Sequence, residues 1–172
     1  WVNKGRILQQ LNKHEESISC FDKAISCYTK AISIDPNNEE LWENKGDLTG
    51  EMGKTHESLE CYNQAIRIKP TATLWTKKGW IFFMTDNYGA AISNFDKTIT
   101  LDPEYANAWK RKATVLRIME KYAQALECAD EAIRVDPEYA EAWNEKVHIL
   151  KFMNRIDEAD QCLAKAKGLE EK

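Results

Sequence analysis

Residues 109–137 read WKRKATVLRIMEKYAQALECADEAIRVDP: two amphipathic runs that meet at a polar break, Glu120–Lys121, and stop at Asp136–Pro137. The stretch recurs along the chain. Trp143 follows Trp109 after 34 residues, Trp75 precedes it by 34, and Trp42 precedes Trp75 by 33. A fixed period of this length is the signature of a helical solenoid, in which each two-helix unit buries its apolar stripes against the next. About five such units fit into 172 residues.

The marker residues of the unit are Trp109, Tyr122, Ala125, Ala132 and Pro137. This pattern resembles the tetratricopeptide repeat (TPR), a helix-turn-helix marked by Trp, a small residue four on, then Tyr, Ala, an aromatic, Ala and Pro. The resemblance implies an all-α, right-handed solenoid of ten helices. A single array is expected over residues 1–172, with repeats at 1–38, 39–71, 72–105, 106–139 and 140–169. Its first helix in each unit is called A and its second B below.

Composition agrees with a helical chain, since Gly (7) and Pro (4) are sparse. The net charge of -4 gives no electrostatic reason to expect nucleic acid, which needs a basic stripe. No apolar run approaches the length of a membrane span, and no leader pattern suggests secretion, so a cytoplasmic location is expected. The chain opens at Trp1, inside a repeat, as a fragment of a longer protein would. Four of the five cysteines, Cys20, Cys61, Cys128 and Cys162, occupy one place in successive repeats, which points to packing residues in a reduced compartment. His14, His56 and His148 have no ligand-like spacing and read as turn or surface residues.

One unit is irregular. Cys20–Ser26 (CFDKAIS) is followed directly by Cys27–Ser33 (CYTKAIS), with five of seven positions identical. A duplicated heptad explains why Trp1 to Trp42 is 41 residues, seven more than the period. Seven residues turn a helix by almost two full turns, so the apolar stripe stays on one face and the spacing predicts one long B helix. Helix A of the first repeat is then expected about two turns out of step with helix A of the second. Cys27, Tyr28, Ala31 and Ile32 would form a strip available for self-association. At the other end, Gly168 is expected to stop the last helix near Lys167. Ile156, Ala159, Leu163 and Ala166 should face inward, and Glu170–Lys172 should fray. Each Trp is followed three residues later by a Lys (4, 45, 78, 112, 146), whose stem can snorkel along a neighbouring helix.

No Gly-rich phosphate loop, H-E-x-x-H, G-x-S-x-G or nucleophilic Cys/His pair is present, so neither enzyme activity nor a cofactor is expected. The family resemblance implies instead a concave groove lined by A helices. Residues one, two, five, eight and nine after each Trp would point into it. The two-carboxylate clamp of chaperone-binding members does not fit: of its positions only Arg111 agrees, and Glu43 and Asp47 would repel a carboxylate. The groove positions Trp80, Phe83 and Met84, with Ile118, Phe152, Arg111, Thr114, Arg117, His148 and Lys151, form the candidate partner-binding set. Aromatic anchors beside arginines suit an apolar or amphipathic peptide with an acidic flank. The alternative for Met84, Ile118 and Phe152 is core between adjacent A helices.

The expected function is therefore a non-catalytic module that binds a protein or peptide in the groove, with neither nucleic acid nor membrane as partner. The alternatives are a self-assembling scaffold, giving a homo-oligomer through the extended first repeat or the chain ends, and the TPR region of a larger enzyme or regulator.

Overall fold

The computed structural model describes residues 1–171, and among these it contains ten helices and no strand. They are α1 (Val2–Gln10), α2 (His14–Ile34), α3 (Glu39–Glu51), α4 (Thr55–Ile68), α5 (Ala72–Met84), α6 (Tyr88–Leu101), α7 (Ala106–Ile118), α8 (Tyr122–Val135), α9 (Ala140–Phe152) and α10 (Ile156–Glu170). Odd-numbered helices are the A helices. The chain forms two compact units, Trp1–Ile81 and Phe82–Lys172, divided within α5.

Every A helix ends in the same way. One residue takes the left-handed conformation: Asn12, Gly53, Asp86, Glu120 and Asn154, with φ between 56° and 71°. The next amide then reaches back five residues, as in Lys13 N to Leu8 O and Lys121 N to Leu116 O, both 2.9 Å. These bonds satisfy carbonyls that the helix end leaves open, and they fold helix B back onto helix A.

The two helices of a hairpin fit by volume. Gly5 faces the ring of Phe21, and a Cβ on Gly46 would lie 2.9 Å from Tyr62. Where helix B carries Ala129 instead, helix A carries Ala113, and both are fully buried in one cluster. Ser17 and Ser58 hydroxyls donate to the carbonyls of Gly5 and Gly46, each at 2.8 Å. The repeated cysteine slot is buried at Cys20, Cys61, Cys128 and Cys162. Asn94 fills that slot in the third repeat; its amide donates to Ala90 O at 2.7 Å and its carbonyl oxygen has no partner.

The Trp markers fasten the linkers. Trp42, Trp109 and Trp143 donate their indole N–H to the carbonyls of Pro36, Pro103 and Pro137, six residues back, at 3.0 Å. Trp75 stands only five residues after Pro70 and makes no such bond. The Lys three after the marker Trp lies over its ring in four of the five repeats, 5.2–6.0 Å from the centroid for Lys4, Lys78, Lys112 and Lys146. Lys112 and Lys146 continue to Asp96 and Asp130 on the preceding B helix, both at 2.7 Å. The snorkelling lysine is thus also an inter-repeat ion pair.

α2 is unbroken over 21 residues, so the duplicated heptad lengthens the helix instead of looping out. α1 packs on the first copy, through Gly5 on Phe21. α3 lies against both: Ile25 of the first copy and Tyr28 of the second join the cluster with Leu48 and Met52, whereas Ile18, one heptad before Ile25, is 52% exposed. Ion pairs record the same offset. Asp22 reaches Lys54, in the turn between α3 and α4, at 3.3 Å, and Arg6 of α1 pairs with Glu51 in the last turn of α3. α1 is therefore drawn toward the C-terminal end of α3, in keeping with the ~10 Å that seven helical residues span.

The last helix corrects the sequence reading at two points. α10 runs through Gly168 to Glu170. A glycine costs a helix only about 1 kcal/mol, and Asn144 holds Glu170 by a 2.9 Å hydrogen bond. Ile156 is exposed rather than inward, while Ala159, Cys162 and Ala166 are buried. The expected fraying at Lys172 lies outside the described residues.

Candidate protein-interaction site

In the first unit the groove positions of α3 are acidic, but not free. Lys77 of α5 bridges Glu43 and Asp47 at 2.7 and 2.6 Å, and the Tyr62 hydroxyl donates to Asp47 at 2.8 Å. Burial works against the Lys77 ammonium, yet the bonds from Asp47 and Glu43 outweigh it and leave its pKa raised. The Tyr62 phenol is pushed up by burial and by Asp47. This locked polar cluster, which spacing alone does not reveal, holds α3, α4 and α5 together. Trp80 is at the border between exposed and half-buried.

In the second unit the apolar candidates are solvent-facing. Met84 is 63% and Phe152 61% exposed, and Ile118 is also exposed, so these three are not core between A helices. Phe83 is half-buried and sits 6.2 Å from Tyr88, ring to ring. Phe152 stacks on Tyr122 at 5.6 Å with the planes 7° apart. On it lies Arg117, 5.9 Å from the ring centroid, whose Nε donates to the buried Glu145 at 2.6 Å. Glu145 was placed among the groove positions by its spacing, but it serves as the internal partner of Arg117. His148 and Lys151 are exposed; Thr114 is half-buried and its hydroxyl donates to Lys110 O at 3.1 Å.

Two cations stand side by side at the groove positions one and two after Trp109. Lys110 is half-buried and lies over Tyr139 at 5.9 Å; burial and the neighbouring Arg111 lower its pKa. Arg111 donates through Nε to Asn107 at 2.7 Å, and burial lowers its pKa too. An open cleft of about 460 Å³, which Lys110 and Arg111 do not line, lies between Tyr105, Asn107, Val135 and Tyr139, with the carboxylates of Glu104 and Asp136 on its wall. In the sequence the two cations show as the adjacent pair Lys110–Arg111, with Tyr105 and Tyr139 before the fourth and fifth repeat starts.

Of the self-association strip, Cys27 is exposed, Tyr28 and Ala31 are half-buried, and Ile32 is buried. Ile34, at the end of the same helix, is 85% exposed. No helix is long and apolar enough to cross a membrane among the described residues.

Known proteins share this architecture. The crystal structure of MamA superposes with a TM-score of 0.78 at 26% identity, over 91% of this chain and 92% of that one. YrrB, a TPR protein described as having an unusual peptide-binding site, gives 0.70 at 16% identity, over 99% and 85%. The first TPR of Spaghetti (RPAP3), bound to the HSP90 peptide SRMEEVD, gives 0.63 at 21% identity, over 67% and 93%. No curated protein sequence matches the chain. Family models described as tetratricopeptide repeat match residues 1–71, 43–106, 106–139 and 140–172, and so leave no part of the sequence unclaimed. With the ten helices, the shared turn and the Trp-to-Pro spacing, this places the chain in the tetratricopeptide repeat family.

Proposed function

We propose that this protein-interaction module is non-catalytic and takes a peptide or partner domain on the exposed side of its A helices. The observation that carries the reading is the solvent exposure of Met84, Ile118 and Phe152 at positions where the family's groove residues stand. Apolar groups kept in water at such positions are the usual anchors of recognition, and truncating one costs about 2 kcal/mol or more. In the second unit Phe83, Met84 and Phe152 supply apolar contact. Lys110, Arg111 and Lys151 supply positive charge for an acidic flank, Arg117 being held by Glu145. Thr114 and His148 complete the set. Trp80 of the first unit is a separate candidate. The five repeats act as one array, and the partner is protein; the net charge of -4 argues against nucleic acid. Five free thiols suit a cytoplasmic protein.

The test is selection of peptides on the intact chain, followed by affinity measurement against Phe152→Ala, Met84→Ala and Lys110→Glu. Each alanine variant should weaken the selected peptides by roughly 30-fold, about 2 kcal/mol, with the melting temperature unchanged. Peptides that bind all three variants as well as the native chain would place recognition elsewhere.

A further inference from the structure

Within the unit Phe82–Lys172, every A helix ends on an apolar residue that faces water. Met84, Ile118 and Phe152 close α5, α7 and α9, stand 34 residues apart and are 63%, 40% and 61% exposed. Met84 has two repeats after it and is as open as Phe152, so the exposure belongs to the position and not to a chain end. In the first unit the same place holds Gln10 and Glu51, and Glu51 is tied to Arg6. Apolar groups left in water at one place in three successive repeats mark an interaction surface rather than scattered exposure.

The dimensions of this row restrict what can lie on it. α7 and α9 pack directly on each other, and packed helix axes are about 8–10 Å apart. Ile118 and Phe152 end those helices at the same place, so the rungs recur at roughly that interval. The row is one side chain wide: Arg117 and Lys151 border it, with Thr114 and His148 one turn back. An α-helical ligand needs an apolar stripe about 100° wide or more, for which these polar neighbours leave no room. A β-strand returns to one face about every 6.7 Å and needs a sheet edge for its amides, and no strand exists among the described residues. A polyproline II segment turns the same face every third residue, at about 9.3 Å, and its prolines have no amide to satisfy. Its period alone matches the rungs.

We propose that the Met84–Ile118–Phe152 row binds a proline-rich segment in the polyproline II conformation, an assignment that rests on the A-helix surface proposed above. The segment carries a proline at every third residue and a carboxylate beside the ring nearest Phe152. Its pyrrolidine rings pack between successive rungs and against the stacked rings of Tyr122 and Phe152. The carboxylate bonds the Lys151 ammonium. Among the described residues Lys151 has no ion pair, whereas Arg117 beside Ile118 is already held by Glu145. Charge therefore favours an acidic residue at the Phe152 end of the row.

The experiment uses the intact chain and a labelled peptide of four Pro-Pro-Glu repeats, followed by fluorescence anisotropy. Saturable binding is expected. Repeats of Pro-Pro-Glu-Ala, which break the three-residue period, and of Pro-Gly-Glu, which free the backbone, should bind about ten-fold or more weakly. Ile118→Ser in the middle of the row should also cost about ten-fold, and Gln10→Ser at the same place in α1 should cost nothing. Lys151→Glu should weaken the Pro-Pro-Glu peptide about three-fold and strengthen a Pro-Pro-Lys peptide by a similar factor, a reversal that an unfolded variant could not produce. Absence of saturable binding up to about 1 mM overturns the proposal. So does equal affinity for the three-residue and four-residue repeats, or Ile118→Ser without effect. If peptides selected on the chain lose affinity to Phe152→Ala while the Pro-Pro-Glu peptide does not bind, the A-helix surface stands and the polyproline ligand is refuted.

Discussion

Glu120 holds a left-handed backbone, φ 59°, at the turn where the second repeat has Gly53 and the others have Asn or Asp. Its Cβ is crowded by its own backbone there, a cost of roughly 1–2 kcal/mol that glycine avoids and Asn or Asp partly offsets. Glu120→Gly is therefore expected to raise the unfolding free energy by about 1 kcal/mol in urea titration, against the usual entropic penalty of a glycine. A second residue-level effect concerns Cys128, whose thiol burial pushes up to about 11 from an ordinary 9.0. The folded chain then holds this proton more tightly than the unfolded chain does. The stability it contributes is complete below pH 9 and is lost as the pH rises from 9 toward 11, by about 2 kcal/mol. Replacing it with alanine should flatten that part of the stability-against-pH curve relative to the native chain. An unchanged slope would mean that the thiol titrates normally.

Among the elements, α2 offers the sharpest contrast. Ile18 and Ile25 stand one heptad apart on α2, but only Ile25 is covered by α3. Ile25→Glu should destabilise the protein by about 2–3 kcal/mol, and Ile18→Glu by no more than about 0.5. Deleting residues 27–33 moves α3 one heptad back along α2, after which Ile18→Glu should become the costly change; equal costs in both backgrounds would refute the offset. Most of α2 was legible in the sequence, because a seven-residue insertion is nearly commensurate with the helix and a breaker is absent. Helix order and turn positions were legible for the same reason: they follow from periodicity and local backbone chemistry. Partner choice between side chains was not. That Arg117 spends its charge on Glu145, or that Lys77 ties Glu43 to Asp47, depends on how two helices face each other, and spacing within one helix does not carry that. The left-handed turn residue was visible only at Gly53, since Glu120 and Asp86 give no glycine signal. Gly168 misled for the converse reason: a glycine can end a helix, but the tie from Asn144 to Glu170 carries α10 past it.

At the scale of the whole molecule, each compact unit is a run of near-identical hairpins, and function depends on where the identity fails. The apolar residues left in water on the A helices are one such place. The linkers supply another. Three of them are closed by an indole N–H bonded to a proline carbonyl six residues back, while the Pro70–Trp75 linker is one residue short and lacks the bond. Each of these three indole protons is thus a clock for its own linker. After transfer into heavy water, the indole signals of Trp42, Trp109 and Trp143 should persist, and those of Trp1 and Trp75 should vanish first. Warming should then shorten the three surviving lifetimes in the order in which the junctions loosen. Without any added label, an ordinary proton spectrum would report which hairpin lets go first, and equal lifetimes at Trp75 and Trp109 would show that the missing residue leaves no kinetic trace.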